Sequence, residues 1–440
     1  MKVLLLDIYR NVNYRISKDT SGGYGTGNNF GNSFFTNYLK KKFKKEHDWP
    51  PLFLAYTHAV LKRNGHEVTY SKKLLSDYNS YDIYIISSSI VCCETEIEVI
   101  KKIKNSTNKP IFSIGPFATS NPNKYIDAGS IVISGEPEFY FLKNKNIEID
   151  FNNKNIINFE HSFSLDDLPM PNWEELIENF KKVSNLFGRY KNVPIIGTRG
   201  CPYSCFKYCV YPLQQGRKVR QRTPKSIVEE MEYWTNRGIK MFTFRDPVFS
   251  INRKHTLEFC EEIEKKKLKC FFIIETHLRI LDTELINKLK KAGLKAVKVG
   301  VESVDEEVLK NANRFTVSKD QQISKIRELE NNNIQVSAMF IIGFPNDNIN
   351  TINATIEYAK KINSTYSQFS VWTPYPGTPV FEEYKDKITT DKYEHFDQYR
   401  LVYKHDKFNG SQIRKLLTKC YNKYYLRFSW MLKYIKSFST

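Results

Sequence analysis

Twice along its length the chain alternates short apolar, β-branched runs with amphipathic stretches of helical length, and this alternation restricts it to parallel sheets covered by helices on both faces. In the first run Lys2–Ile8, His66–Tyr70, Tyr81–Ser87, Pro110–Ile114 and Ile131–Ser134 read as strands. Leu52–Asn64 and Glu94–Lys104 read as helices, the former closed by Gly65. The second run restarts at Val193–Gly197 and continues through Ile239–Phe244, Lys269–Glu275, Ala296–Val301, Ile334–Ile342 and Tyr366–Val371. Helical stretches such as Pro224–Asn236, Lys254–Lys267, Asp282–Lys291 and Ile349–Lys361 lie between these strands.

The reading is therefore an α/β chain. A flavodoxin- or Rossmann-like parallel sheet over residues 1–145 is followed by a connector over 146–190, broken by Leu168-Pro169-Met170-Pro171. A partial (β/α)6 TIM-like barrel over 191–400 and a C-terminal helical region over 401–440 complete it. Both kinds of sheet carry ligands beyond the carboxyl ends of their strands. In the first module those ends hold Ser87-Ser88-Ser89, Gly115-Pro116-Phe117 and Gly135-Glu136-Pro137-Glu138. Five glycines between Asn11 and Asn37 predict a mobile loop near the same edge.

With 41% hydrophobic and 14% aromatic residues, the 440-residue chain can bury two or three cores, which argues against disorder. The formal charge of +19 raises a nucleic-acid or anionic-membrane reading. Its basic residues are mostly lysines dispersed among Asn and Ile, a pattern of compositional drift rather than an electrostatic footprint, so nucleic acid is not the expected partner. The opening Met1–Asp7 is too short an apolar run for a signal peptide, and no run approaches the ~18 residues that span a bilayer. A cytoplasmic protein is expected, its eight cysteines thiols or metal ligands rather than disulfides.

Chemistry concentrates in Thr198-Arg199-Gly200-Cys201-Pro202-Tyr203-Ser204-Cys205-Phe206-Lys207-Tyr208-Cys209, directly after the first strand of the second module. Three soft thiolates on one loop suit a cubane iron–sulfur cluster, and the absence of a fourth nearby cysteine leaves one iron open. Zinc held by the three cysteines and a distant His is the competing metal reading, and buried unliganded thiols the apolar one. Cys92, Cys93, Cys260, Cys270 and Cys420 read as small buried residues.

On this loop the chain resembles the radical S-adenosylmethionine (SAM) superfamily, in the branch with an N-terminal cobalamin-binding domain. The usual cysteine spacing there is three residues and then two; here Phe206-Lys207-Tyr208 makes the second gap one residue longer, with Tyr208 in the place of the family's aromatic. The resemblance implies a [4Fe-4S] cluster on Cys201, Cys205 and Cys209 and SAM contacts at Tyr208, Asp246, Glu302, Ser303, Arg314 and Gly343, most of them at strand carboxyl ends. Read singly, Asp246 and Glu302 are equally helix caps and the glycines turns. The resemblance also implies cobalamin over Ser87, Ser88, Gly115, Phe117, Gly135 and Glu136. The Asp-x-His-x-x-Gly cobalt-ligating motif is missing, and His58 and His66 do not replace it, so a cobalamin without a lower histidine is expected.

The activity implied is cluster-driven cleavage of SAM, with cobalamin-dependent C-methylation of a small metabolite as the outcome and a flavodoxin or ferredoxin as electron donor. A cobalamin-linked radical cyclase or rearrangement enzyme is the alternative. RNA modification of the methylthiotransferase kind would need three further cluster cysteines in the first module, and only Cys92 and Cys93 are there. A non-catalytic cobalamin module leaves the cysteine loop unexplained. The basic, aromatic tail Gly410–Ser439 reads either as a closing helix or as a contact with an anionic membrane.

Overall fold

The computed structural model describes residues 1–44, 49–75, 78–147, 155–158, 163–177, 191–314 and 317–436. Most of the connector read at 146–190 lies outside them.

The first sheet comprises β1 (Lys2–Leu6), β2 (Glu67–Ser71), β3 (Ile83–Ser87), β4 (Ile111–Ile114), β5 (Ile131–Ser134) and β6 (Ile156–Asn158). Its order is β2-β1-β3-β4-β5-β6, with every pair parallel. Leu5 of β1 thus lies between Tyr70 and Ile85. This is the flavodoxin order, and the reversal of direction beside β1 opens a crevice at the carboxyl ends of β1 and β3. The β1 and β3 cores are fully buried, as expected of a sheet covered on both faces. Edge strand β6, only three residues long, falls within the expected connector, because so short a run has no measurable periodicity.

The second sheet comprises β7 (Asn192–Ile195), β8 (Met241–Phe244), β9 (Phe271–Glu275), β10 (Leu294–Glu302), β11 (Gln335–Ile342) and β12 (Tyr366–Val371). These run in chain order, all parallel, and β7 and β12 are both edges, so the six strands form an open counterpart of the barrel order. Burial alternates along β10–β12. Val297, Val299, Val301, Val336, Ala338, Phe340, Phe369 and Val371 are sealed under the helices, each large side chain worth roughly 1.5–3 kcal/mol of burial. Lys298, Gly300, Glu302, Ser337, Met339, Gln368 and Ser370 occupy the other face and keep part of their surface.

The glycine-rich segment is not the mobile loop expected. Ile16–Ser17 pairs antiparallel with Thr26–Gly27, and the turn between them packs between the two sheets. Fully buried Lys18 binds Glu96 at 2.7 Å and the Ser87 carbonyl at 3.0 Å, while Tyr24 donates to the Pro376 carbonyl at 2.9 Å. Gly23 and Gly25 have φ of +91° and +89°, and a Cβ on them would lie 2.7 Å from Pro116 and 2.6 Å from Val91. The glycines serve close approach rather than flexibility.

The C-terminal region is likewise half committed. In helix Gly410–Tyr425 the residues Ile413, Leu417, Cys420, Tyr421 and Tyr424 are buried, and Tyr421 donates to the carbonyl of Phe369 on edge strand β12. Among the described residues, no helix is long and apolar enough to cross a membrane.

Candidate active site

The cysteine loop leaves the end of β7 and is clamped at its stem, where Thr198 and Arg199 pair antiparallel with Gln221 and Arg220. Gly200 makes the clamp possible: its φ is +86° and a Cβ there would sit 2.0 Å from the Lys218 carbonyl oxygen. The longer second gap is absorbed in a helical turn. Ser204–Lys207 form 3-10 structure, and the Tyr208 and Cys209 amides both donate to the Cys205 carbonyl, at 3.2 and 3.1 Å. All eight cysteines are free. Burial raises the Cys201 and Cys209 thiols, and Cys209 also feels Cys205 and Cys201, so the three thiols share one neighbourhood. Among the described residues no three His, Cys, Asp or Glu side chains converge as the ligands of a single metal ion would. Three thiols on one short turn fit the separate corners of a cubane better than one zinc.

Arg314 faces this loop. Its Nη1 lies 3.7 Å from Cys205 Sγ, and its Nη2 lies 3.3 Å from the Gly300 carbonyl oxygen and 3.4 Å from Glu302 Oε1. Burial alone would lower the guanidinium, but Glu302, Tyr208 and Cys205 outweigh it and hold it above its ordinary value. Burial raises the Glu302 carboxyl against the pull of Arg314. Glu302 has φ +66°, a strained backbone for a side chain of this type, and such strain gathers at functional sites. Gly300, two residues before Glu302 on the same strand, is required here: a Cβ would meet Glu302 Oε1 at 2.5 Å and Arg314 Nη2 at 2.6 Å. Tyr208 packs beside Phe344, Trp372 and Tyr403. The same Tyr403 donates to the Gly343 carbonyl at 3.0 Å, which links that turn to the loop.

The structure thus brings Tyr208, Glu302 and Arg314 to the cysteines, and it ties Gly343 to them indirectly. Ser303 follows Glu302 but is buried, its hydroxyl accepting from the Asp305 amide. Asp246 is committed elsewhere. Fully buried, it accepts from the Gly197 amide at 2.8 Å and is pushed up to about 7 by burial against hydrogen bonds from Gly197 and Thr198. Through the Gly197 amide it braces the turn into the loop. Sequence reading also passed over Asp19, Arg245, Glu275, Lys298 and Tyr211, which meet on the inner side of the second sheet.

The residues expected around cobalamin are engaged with other protein groups. Ser87, Ser88 and Phe117 are fully buried; Ser88 Oγ accepts from the Ala118 amide, and Phe117 packs on Tyr24, Tyr125 and Tyr393. Gly115 is pressed by Phe53, 2.5 Å from where its Cβ would stand. Gly135 donates to Thr119 Oγ1. Glu136 binds Arg199 at 2.6 Å and Arg220 at 2.7 Å, and Glu138 binds Arg199 at 2.5 Å. Glu136 therefore docks the first module onto the stem of the cysteine loop. The one unpartnered polar atom among these serines is Ser87 Oγ. Neither His58, beside Glu175 at 3.4 Å, nor His66, bound to the Lys145 carbonyl, lies at these strand ends.

Residues 195–359 match the radical SAM superfamily. Over 423 residues the chain is 26% identical to the uncharacterized methyltransferase PH0819 of Pyrococcus horikoshii, covering 86% of this chain and 88% of that protein. Its fold is similar to that of the radical SAM methyltransferase TsrM from Kitasatospora setae, solved with cobalamin and a [4Fe-4S] cluster (TM-score 0.68, 15% identity, 97% of this chain and 88% of that one). It is also similar to that of the cobalamin-dependent radical enzyme OxsB (TM-score 0.66, 13% identity, 96% and 66%). The cysteine loop opens the matched segment and Arg314 and Glu302 fall within it, so residues 195–359 form a radical SAM domain.

Proposed function

We propose that the protein methylates a small organic substrate by cobalamin-dependent radical SAM chemistry. The observation that carries the reading is the convergence of Arg314 and Glu302 on the three-cysteine loop, in a chain whose two-sheet fold is shared with TsrM and OxsB. Cys201, Cys205 and Cys209 would hold the cluster, and cluster and SAM together supply one-electron cleavage that makes an organic radical. The chain's own part is to position: Arg314 offers a fixed cation beside Cys205 for a carboxylate, Glu302 an anion for an ammonium, and Tyr208 and Gly343 bound the space beside them. Electrons would come from a low-potential donor such as a flavodoxin or ferredoxin.

The sheet order of the first module suits cobalamin, but the side chains anticipated for it do not offer a space. Lys18 fills the crevice at Ser87 and Phe53 the approach to Gly115. Entry there requires Tyr14–Gly27 to move aside. Neither His58 nor His66 would hold cobalamin, and the spectrum of bound cobalamin should be unchanged by His58→Ala or His66→Ala. The deciding experiment is anaerobic incubation of iron-reconstituted protein with SAM, reductant and cobalamin. Both 5′-deoxyadenosine and cobalamin-dependent S-adenosylhomocysteine are expected. Formation of 5′-deoxyadenosine alone, with no cobalamin bound, would remove methylation and leave the radical SAM assignment intact.

A contact with an anionic membrane is supported by the outer face of helix Phe428–Lys436. Phe428 (72% exposed), Met431, Leu432 and Ile435 (63%) form a bare apolar stripe there, while Trp430 and Lys433 turn inward. Phe34, 93% exposed, opens a lysine-rich helix whose Phe35 packs on Tyr425, adjoining the stripe. Flotation with anionic liposomes should be lost in Phe428→Ser/Ile435→Ser; equal flotation of the variant would remove the idea.

A further inference from the structure

On the inner face of the second sheet more cations than carboxylates meet. Lys298 stands on it near the middle of β10, two residues before Gly300 and on the same side. Four charged groups surround it: Arg245 from the end of β8, Glu275 from the end of β9, and Asp19 and Arg15 from the N-terminal segment. Of these, only Arg245 and Asp19 satisfy each other, at 2.8 Å. Among the described residues, the Lys298 amine and the Glu275 carboxylate have no hydrogen bond or ion pair, and Arg15 Nε is buried without a partner.

The group lies beside the reaction centre. Tyr211, two residues beyond Cys209, feels Glu275, Arg245, Cys209 and Asp19 together. Lys298 and Tyr211 are surrounded by protein yet keep part of their surface, as side chains lining an internal space do. Three cations face two carboxylates, and one positive charge is left over. A cation held in such a place without a partner is costly, by several kcal/mol for a fully desolvated ion, unless something binds it.

We propose that Lys298, with Arg15, receives an acidic group of the substrate, so that the substrate class is small molecules bearing a carboxylate or phosphate. This deepens the function proposed above and rests on it. Burial lowers the Lys298 amine to about 8, with Arg245 pushing the same way against Glu275 and Asp19, so the anion should be held below that pH and released above it.

The test uses full-length, iron-reconstituted protein with SAM under anaerobic conditions. Lys298 is acylated with an N-hydroxysuccinimide ester of propionate and its labelling followed by mass spectrometry. Inorganic phosphate and acetate are the probes, in separate arms against potassium chloride of equal ionic strength. An anion at ~10 times its dissociation constant should slow labelling of Lys298 about tenfold by mass action, while Lys254, whose side chain is 88% exposed, should label unchanged. Protection by phosphate alone, by acetate alone or by both supports the site and names its acid. Labelling of Lys298 unaffected by either anion would overturn it. So would a Lys298 the ester never reaches, because a space closed to that reagent is closed to a substrate. Production of 5′-deoxyadenosine is measured on the same sample. Its absence would count against the proposed function, whereas its presence without anion protection would count against this inference alone.

Discussion

Replacing Gly300 with Ala isolates the pair that faces the cysteines. The added methyl would stand 2.5 Å from Glu302 Oε1 and 2.6 Å from Arg314 Nη2, against 3.4 Å for the closest ordinary contact, so both tips must retreat by about 0.8–0.9 Å (3.4 − 2.6 and 3.4 − 2.5). Arg314 Nη1 is already 3.7 Å from Cys205 Sγ, and Nη2 is 3.3 Å from the Gly300 carbonyl oxygen. A shift of that size carries both beyond hydrogen-bond range. The clashing atoms are the ends of flexible side chains, so the backbone is spared and the fold should survive. A lost hydrogen bond to a charged group is worth roughly 1.5–3 kcal/mol, which converts to a loss on the order of 10- to 100-fold in SAM cleavage. The assay is 5′-deoxyadenosine formation under chemical reduction, with bound iron and the thermal unfolding midpoint measured on the same preparation. Cleavage within twofold of the parent, with iron retained, would refute the placement of Arg314 and Glu302 at the SAM site. Loss of iron or of folding would show that Gly300 serves the framework instead.

Cys201→Ala, Cys205→Ala and Cys209→Ala should each abolish the visible cluster absorption and SAM cleavage together. Cys260→Ala and Cys270→Ala, which only remove buried thiols burial has pushed up to about 12, should retain both. Deleting Lys207 shortens the turn that spans the second gap, and the protein should still bind about four irons by iron assay. Arg199→Ala leaves the Glu136 and Glu138 carboxylates without their shared cation, and urea denaturation should show a loss of about 3–5 kcal/mol. Asp246 is raised by burial, so its contribution to stability is full below its unfolded value near 4 and fades as pH rises through about 7. Asp246→Asn keeps an acceptor for the Gly197 amide without the charge; its unfolding midpoint should stay flat between pH 4 and pH 8 where the parent's falls, and parallel curves would contradict this.

Strand positions were legible because a period of two is a local property: Val297, Val299 and Val301 alternate with Lys298, Gly300 and Glu302 whatever lies around them. The cysteine loop was legible for the same reason, since three ligands of one cluster must share one short turn. Arg314 was identified by its place in a motif, and it stands 3.7 Å from Cys205 across more than a hundred residues. The protein partners of Glu136 and Asp246 were not legible, because a carboxylate at a strand end looks alike whether it faces a ligand, another module or its own backbone.

From the residues alone followed the two parallel sheets, eleven of their twelve strands to within about two residues at either end, and the gathering of three cysteines on one short loop, all governed by contacts among near neighbours in the chain. What the folded molecule added is long-range. It made a glycine-rich segment a packed wedge, paired Glu136 with Arg199 across 63 residues, and gathered Asp19, Arg245, Glu275 and Lys298 from four separate segments. Such meetings depend on crossover paths and on sheets closing against each other. They leave no periodicity in the sequence, because the energy that selects them arises only when distant surfaces exclude water from between them.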